Sequence, residues 1–166
     1  MKILILSPYL PSEYSFHAGA QLIFRNIKEL TKHHKIFVIP FVNSSDFDKI
    51  KFLTELDVQV FPVRYERNPR SIMNKLISLK RNYFALIRSI LRMDIFFIAK
   101  YNQKRMHIMI DEIIQNIQPD IIQIEYNVMH CYAKSISNIP QLLVQHDIST
   151  KVYESGLDST FSQYKL

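Results

Sequence analysis

The first 24 residues contain an apolar run, a polar loop and an amphipathic segment, in that order. The run Lys2–Ser7 has the near-continuous hydrophobicity of a buried parallel strand. From Ala20 onward, apolar side chains recur at helical spacing. A strand that passes through a loop into a helix constrains the fold strongly, because such units stack into a parallel sheet with right-handed crossovers.

The same alternation of strands and helices continues along the chain. Further apolar runs predict strands at 35–42, 58–63, 121–125 and 141–145. Helices are predicted at 46–56 with Ser45 as N-cap, at 68–117 in two or three pieces, and at 127–137. In the long region, Asn68 and Pro69 suit an N-cap and a first helical position, and Asn102 suits a second N-cap. We therefore expect one α/β domain, Rossmann-like with three α/β/α layers and a parallel sheet in the order 3-2-1-4-5.

The chain of 166 residues carries a formal net charge of +6, which is distributed unevenly. Between Arg64 and Arg105 there are 11 basic and two acidic residues, so the rest of the chain is net acidic. Such asymmetry is typical of a surface that meets an anionic partner, although a helical face that meets only water can have the same composition.

The cysteine content and the hydropathy of the chain indicate its cellular location. Cys131 is the only cysteine, so no disulfide can form within the chain, which fits a reducing cytoplasm. No apolar run reaches the roughly 18 residues that a bilayer span needs, and the first strand lacks a signal-peptide pattern. We expect a cytoplasmic location, peripheral on the inner face of the membrane if the basic region binds lipid.

Polar side chains follow several predicted strands at their carboxyl ends. In an open α/β sheet, ligands bind at this edge, and the free N–H groups and dipole of a helix N-terminus favour an anion. We therefore expect a site for a phosphate-bearing ligand there, facing the helix that starts near Gly19. The residues expected at the edge are Ser7, Ser12, His17, Ala18, Gly19, Glu125, Tyr126, His146 and Asp147.

Four of these residues also have a structural interpretation, which the sequence leaves open. His17 could be an ordinary loop residue. His146 could bond a backbone carbonyl, Glu125 could be a solvated acid at a strand end, and Gly19 could serve only close packing of a helix on the sheet. Several other chemistries are excluded. The chain has no glycine-rich dinucleotide fingerprint, no P-loop, no nucleophile elbow and no paired cysteine and histidine spacing for zinc.

In order and spacing, four segments resemble the N-terminal domain of a GT-B glycosyltransferase, and within that fold the retaining group called family 4. They are Lys2-Ile-Leu-Ile-Leu-Ser-Pro8, His17-Ala-Gly19, Pro119-Asp-Ile-Ile-Gln-Ile-Glu-Tyr126 and Leu142-Leu-Val-Gln-His-Asp147. The resemblance covers about residues 1–150. Family members usually have a glycine pair in the loop after the first strand, whereas this chain has Ala18-Gly19.

The resemblance implies transfer of a sugar from a nucleotide diphosphate sugar to a hydroxyl of a glycan or lipid-linked acceptor, with retained anomeric configuration. The setting implied is bacterial cell-surface polysaccharide synthesis. His146 would be the catalytic contact with the transferred sugar or the acceptor. His17, Ala18 and Gly19 would form the donor-phosphate or acceptor loop, and Glu125, Tyr126 and Asp147 would bind the acceptor.

The resemblance also implies a division of labour between domains. The nucleotide-sugar site of that family lies mostly in a second domain, which would follow residues 1–150 and is absent here, with residues 151–166 as a truncated segment. This chain alone would then be inactive and would bind nucleotide sugars weakly. Neither a metal nor a cofactor is expected, the nucleotide diphosphate sugar being the donor substrate.

A function of a different class stays open, namely a non-catalytic module that binds a membrane or another anionic partner. If residues 68–92 form one helix, Arg70, Arg81, Arg88 and Arg92 fall on one face, which would suit docking on an anionic membrane. We expect no nucleic acid, because the interleaved aromatic residues fit a core or lipid better. A receiver domain is disfavoured, because no acidic cluster follows the first strand. An uncovered last strand predicts self-association through the sheet edge.

Overall fold

The structure is a computed structural model, and it describes residues 1–67, 71–91 and 95–146, with the backbone alone at Phe97. Within these residues the strands are β1 Lys2–Ser7, β2 Lys35–Val42, β3 Gln59–Val60, β4 Val63–Arg64, β5 Ile121–Glu125 and β6 Gln141–Val144. The α-helices are α1 Ala18–Leu30, α2 Lys51–Thr54, α3 Ile72–Ile90, α4 Phe96–Tyr101 and α5 Lys104–Ile117. Two 3-10 helices, Ser44–Ile50 and Asn127–Ser135, complete the described elements.

A parallel sheet forms the middle of the domain. Its strands are hydrogen-bonded in the order β3-β2-β1-β5-β6, and β4 also pairs with β2. All pairings among the described strands are parallel. The predicted α/β fold with a parallel sheet is therefore confirmed, and β1, β2 and β5 have the predicted bounds.

The third predicted strand, at 58–63, is wrong as a single element, because β3 and β4 divide it. The interruption includes Pro62, which has no N–H to donate and cannot continue the ladder. On either side of Pro62 the backbone stays tied to β2. The N–H of Phe61 donates to the Val38 carbonyl, and the N–H of Tyr65 donates to the Val42 carbonyl, both at 2.9 Å. The following loop therefore starts at the carboxyl edge of the sheet.

One predicted helix start is also corrected, and another lies outside the described residues. The segment predicted as a helix at 46–56, with Ser45 as N-cap, begins instead as a 3-10 helix after Asn43. The N-cap of α3 is Ser71, whose hydroxyl accepts a hydrogen bond from the Asn74 N–H at 3.2 Å. The N-cap predicted for this region, Asn68, lies outside the described residues.

Two corrections concern the later helices. α5 begins after Gln103 rather than after Asn102. Asn102 instead ends α4, and its side-chain oxygen lies 2.9 Å from Nε2 of His107. The helix predicted at 127–137 is a 3-10 helix that ends at Ser135.

Alternate residues of β1 face two layers of helices. Leu4 and Leu6 belong to a buried cluster that includes the apolar face of α5. Ile3 and Ile5 belong to a second cluster that includes the apolar face of α1 and one side chain of α2. Because helices cover both faces, the carboxyl edge of the sheet is where the loops converge.

α3 lies at the periphery and packs mainly on α4. Its buried residues are only the small ones Ser78 and Ala85. Arg81 ties the helix to the segment after β4, because its guanidinium lies 4.1 Å from the ring centre of Tyr65 and donates to the Glu66 carbonyl at 3.1 Å. In the described part of the chain, no helix is both long and apolar enough to cross a bilayer.

Candidate functional site

A buried acid and a histidine meet at the carboxyl edge of the sheet. Glu125 ends β5 and is 0% exposed. One of its oxygens, Oε2, lies 2.6 Å from Nε2 of His146, and the amide of Gln123 donates to the other. His146 follows β6, and the pairing of Glu125 with Val144 brings the two strand ends together. Two residues from separate strands thus form one pair, in which the histidine side chain is 6% exposed.

The pair determines which atom of His146 can meet a ligand. Nε2 is committed to Glu125, so Nδ1 is the ring nitrogen that remains. If Nε2–H donates to the Glu125 carboxylate, Nδ1 of the neutral ring is a hydrogen-bond acceptor. If Nε2 instead accepts a proton from the protonated carboxyl, Nδ1 carries the ring hydrogen and is a donor. A sugar hydroxyl both donates and accepts, so Nδ1 can pair with one in either arrangement.

Tyr126 adopts an uncommon backbone conformation directly after Glu125. Its φ of 70° and ψ of 145° lie in a region that L residues rarely occupy. Such a conformation costs about 1–3 kcal/mol and is concentrated at functional sites in proteins. The Tyr126 N–H donates to the Val144 carbonyl at 2.9 Å, and its ring stacks on His146 with centres 4.2 Å apart. The strained backbone therefore holds an aromatic ring against the histidine of the pair.

The same tyrosine reaches the start of α1. A Cβ added to Gly19 would lie 1.4 Å from the Tyr126 hydroxyl oxygen and 2.7 Å from the adjacent ring carbon. Glycine is therefore required at position 19 for the tyrosine to lie there. Tyr126 thus joins the start of α1 to His146, and its hydroxyl occupies part of the space expected for an anion. Ala18, the residue before this glycine, is exposed.

The loop after β1 adds a second aromatic layer. The rings of Tyr9 and His17 stack with centres 3.8 Å apart, and Tyr9 meets the Tyr126 ring edge-on at 5.6 Å. The two predicted serines shape this loop. The hydroxyl of Ser7 donates to the Tyr9 carbonyl at 2.7 Å, and that of Ser12 accepts from the backbone of Tyr14 at 3.2 Å.

Arg67 was missed by the sequence prediction, although it connects several parts of this edge. Its guanidinium lies 4.5 Å from the ring centre of Tyr9. Nη2 donates to the Pro8 carbonyl and lies 3.5 Å from the Phe41 carbonyl oxygen. Its backbone N–H donates to the Asn43 side chain at 3.0 Å. Its position just beyond the third predicted strand, at the same edge of the sheet, could have identified Arg67 from the sequence as a site residue.

A pocket of about 330 Å³ opens beside Tyr9 and Arg67, between the loop after β1 and the 3-10 helix 44–50. It is lined in part by Asp46 and Lys49, which form an ion pair at 2.9 Å. Burial raises the pKa of Asp46, but hydrogen bonds from Lys49 and Asn43 together with the positive charges of Lys49 and Arg67 outweigh it, so the pKa is lowered overall. With Arg67 in the wall, this pocket has more positive than negative charge and suits a ligand with hydroxyl or anionic groups.

The predicted arginine face on α3 is corrected at Arg81. That side chain turns toward the domain and packs on Tyr65, whereas Arg88 is exposed. Arg70 and Arg92 lie outside the described residues, as does Asp147 of the predicted acceptor site. Among the described residues, no group of three His, Cys, Asp or Glu side chains could hold a metal ion.

No protein-family model matches the sequence, and no curated protein matches it.

Proposed function

We propose that this chain is the acceptor-side, N-terminal domain of a retaining GT-B glycosyltransferase similar to family 4. The reaction is transfer of a sugar from a nucleotide diphosphate sugar to a hydroxyl of a glycan or lipid-linked acceptor. The enzyme acts in the cytoplasm, peripheral to the membrane, in cell-surface polysaccharide synthesis. Most donor contacts belong to a second domain, and neither a metal nor a cofactor is part of the proposal.

The observation that carries the proposal is the Glu125–His146 pair, with its Nε2 to Oε2 distance of 2.6 Å. Tyr126 stacks on this pair and packs against Gly19, so three segments of the resemblance contribute to one side-chain cluster. Ligands of open α/β sheets bind at this edge. The central position of β1 in the sheet is compatible with the N-terminal half of a GT-B enzyme.

In the proposed reaction the bond between the anomeric carbon and the diphosphate oxygen breaks, and a new bond forms from that carbon to the acceptor oxygen. The leaving diphosphate oxygen takes the electron pair of the broken bond and accepts the proton that the acceptor hydroxyl loses. His146 would orient a sugar or acceptor hydroxyl through Nδ1, while Glu125 fixes the ring. The start of α1 would favour the diphosphate through its dipole, once the Tyr126 hydroxyl gives way.

The test uses the protein encoded by the complete gene, because the donor site is assigned to another domain. The protein is incubated with radiolabelled UDP and GDP sugars and a membrane extract as the source of acceptor. We expect His146→Ala to lower the transfer rate by about 100-fold, the lower range for loss of a positioned proton-handling group. The matched control is His33→Ala, since His33 is an exposed histidine far from β5 and β6 in the sequence. Unchanged transfer by His146→Ala, or no transfer from any donor, would contradict the proposal.

A binding experiment on the present chain tests the division between domains. Calorimetry with the same nucleotide sugars is expected to show only weak binding. Micromolar binding would place the donor site in this domain instead. A further check is whether the complete gene encodes a second α/β domain that carries the nucleotide-sugar site, as the proposal requires.

One observation favours the second candidate, a non-catalytic module that binds a membrane. α3 exposes large apolar side chains, and all of its charged residues are basic. This surface is compatible with the transferase as well.

A further inference from the structure

Large apolar side chains on α3 form a continuous stripe that faces away from the domain. Their sequence spacing alternates between four and three residues, which places them within about 80° of one another on a helix. The exposed fractions are 79% for Ile72, 56% for Leu76, 67% for Leu79, 61% for Tyr83, 50% for Leu86 and 69% for Ile90. We call these six side chains the outer stripe. An exposed apolar surface of this extent marks an interaction site.

The opposite face of α3 explains why the outer stripe stays uncovered. Its buried positions are Ser78 and Ala85, which are small and allow close approach to a neighbouring element. Arg81 lies on the same side and is held by Tyr65 and the Glu66 carbonyl. The helix is thus docked through small and polar groups, and the outer stripe is left to another surface.

The charges on α3 restrict what that surface can be. Between Ile72 and Ile90 there are four basic residues and no acid, as the helix sequence shows. On a helical projection, Lys75 and Lys80 lie on opposite sides of the outer stripe, about 60° and 80° from its centre. Both lysines are exposed. Apolar side chains flanked by cations are typical of a helix that lies in the plane of an anionic membrane.

We propose that α3 docks on an anionic lipid surface, with the outer stripe inserted among the acyl chains and Lys75 and Lys80 at the headgroups. A second copy of this chain is the less favourable occupant, because two such helices would bring lysines together without any acid from either helix. The whole chain also carries a net charge of +6, which opposes self-association and favours an anionic surface. The contact surface is the outer stripe rather than the predicted arginine face.

The proposal does not depend on glycosyl transfer, because none of its residues belongs to the Glu125–His146 site. Loss of transfer activity would leave it intact, and failure to bind vesicles would leave the proposed reaction intact.

The absence of tryptophan from the chain permits a direct test. Tyr83→Trp places a single fluorophore in the outer stripe. The matched control is Tyr14→Trp, in the loop after β1, because Tyr14 is 63% exposed and Tyr83 is 61% exposed. The vesicles contain phosphatidylcholine alone or mixed with phosphatidylglycerol. With the mixed vesicles, we expect the emission of the Tyr83→Trp variant to shift to the blue and to be quenched by brominated acyl chains. The Tyr14→Trp variant should show neither effect.

Co-sedimentation then separates the apolar and ionic contributions. Leu76→Ser with Leu79→Ser is expected to abolish binding to the mixed vesicles, and Lys75→Gln with Lys80→Gln to weaken it roughly tenfold or more. The charge control is Lys28→Gln with Lys32→Gln, two exposed positions at or just beyond the end of α1, which should bind like the parent chain. Circular dichroism establishes that each variant is folded.

Three outcomes would overturn the proposal. They are equal binding to neutral vesicles, no binding to either kind, and a dimer in sedimentation equilibrium that the two leucine substitutions dissociate. The last outcome would assign the outer stripe to a second copy of the chain.

Discussion

The end of β5 buries a carboxylate, whereas α3 exposes leucines. Glu125 is 0% exposed because Gln123 and His146 provide partners for its oxygens. Leu79 is 67% exposed, and contact between its apolar side chain and water is unfavourable in free energy. A buried acid with its partners in place is satisfied within the chain. In our proposal, the leucine is covered only by a lipid surface. The buried acid therefore has its partners within the chain, whereas the exposed leucine does not.

The two regions are also held in place differently. Tyr126 is confined by His146 on one side, Tyr9 on another and Gly19 at its hydroxyl. α3 relies on Arg81 and on two small buried residues. Regions with few buried apolar contacts open at lower free energy than the core. We therefore expect substitutions near the sheet to cost more stability than substitutions on α3.

The largest difference is expected for the same substitution made at two leucines. Leu4→Ala removes a side chain that is 0% exposed in the sheet, and should lower the free energy of unfolding by about 3 kcal/mol. Leu79→Ala, on the outer stripe, should lower it by less than about 0.5 kcal/mol. Urea unfolding without lipid measures both. A comparable loss of unfolding free energy for Leu79→Ala would mean that the outer stripe is buried within the folded chain. The contrast between the sheet and α3 would then be wrong.

The next effect, about 2 kcal/mol, is expected for Gly19→Ala, since the new methyl group collides with the Tyr126 ring. The control is the same substitution in a Tyr126→Ala background. Without the ring, alanine near the start of α1 should be neutral or slightly stabilising, because glycine is the poorer helix former. Urea unfolding of all four proteins gives the coupling free energy. An equal cost in both backgrounds would show that Tyr126 does not contact Gly19.

A smaller effect is expected where α3 meets the rest of the domain. Burial raises the pKa of Tyr65 to about 12, so its ring stays neutral under the Arg81 guanidinium at ordinary pH. Arg81→Ala should destabilise α3 by about 1 kcal/mol, from the lost stacking and hydrogen bonds. Hydrogen exchange of the α3 amides should then accelerate several-fold. Lys80→Ala, an exposed neighbour, should leave the exchange unchanged. Equal exchange rates of the α3 amides in both variants would show that Arg81 does not hold the helix on the domain.

The centre of the sheet could be predicted from sequence because β1, β2 and β5 are apolar runs with unambiguous ends. Their order along the chain also indicated which polar residues would share an edge, and Glu125 and His146 do lie together there. The interruption at Pro62 was visible in the sequence, but its consequence depends on the bonds that keep both flanking segments on β2.

The rest depended on contacts between distant residues. Helical spacing placed the four arginines on one face but could not show which way that face turns. The ring of Tyr65, which is distant in sequence, holds Arg81 inward. The position of Arg67 follows in the same way from the Tyr9 ring and from carbonyls at the ends of β1 and β2.

The smallest expected effect concerns His107, which lies on α5. Its Nε2 is 2.9 Å from Asn102 at the end of α4, and its Nδ1 is 3.3 Å from the Ser135 hydroxyl. Burial lowers the pKa of His107 below its ordinary value of 6.5, despite the opposing charge of Asp111. The unfolded chain therefore binds this proton more readily. The stability present above pH 6.5 is lost as the pH falls from there through the lower folded value.

His107→Gln should remove this part of the pH dependence. Urea unfolding at about pH 7.5 and about pH 5.5 spans the ordinary histidine pKa. Between these two pH values, the free energy of unfolding should fall more in the parent chain than in the variant. The stability deficit of the variant relative to the parent should therefore be smaller at the lower pH. The control is His33→Gln, an exposed histidine just after α1, which should lose as much as the parent. A deficit that grows on acidification would mean that protonated His107 stabilises the fold. The contact between α5, the end of α4 and the 3-10 helix 127–135 would then have to hold an imidazolium rather than a neutral ring.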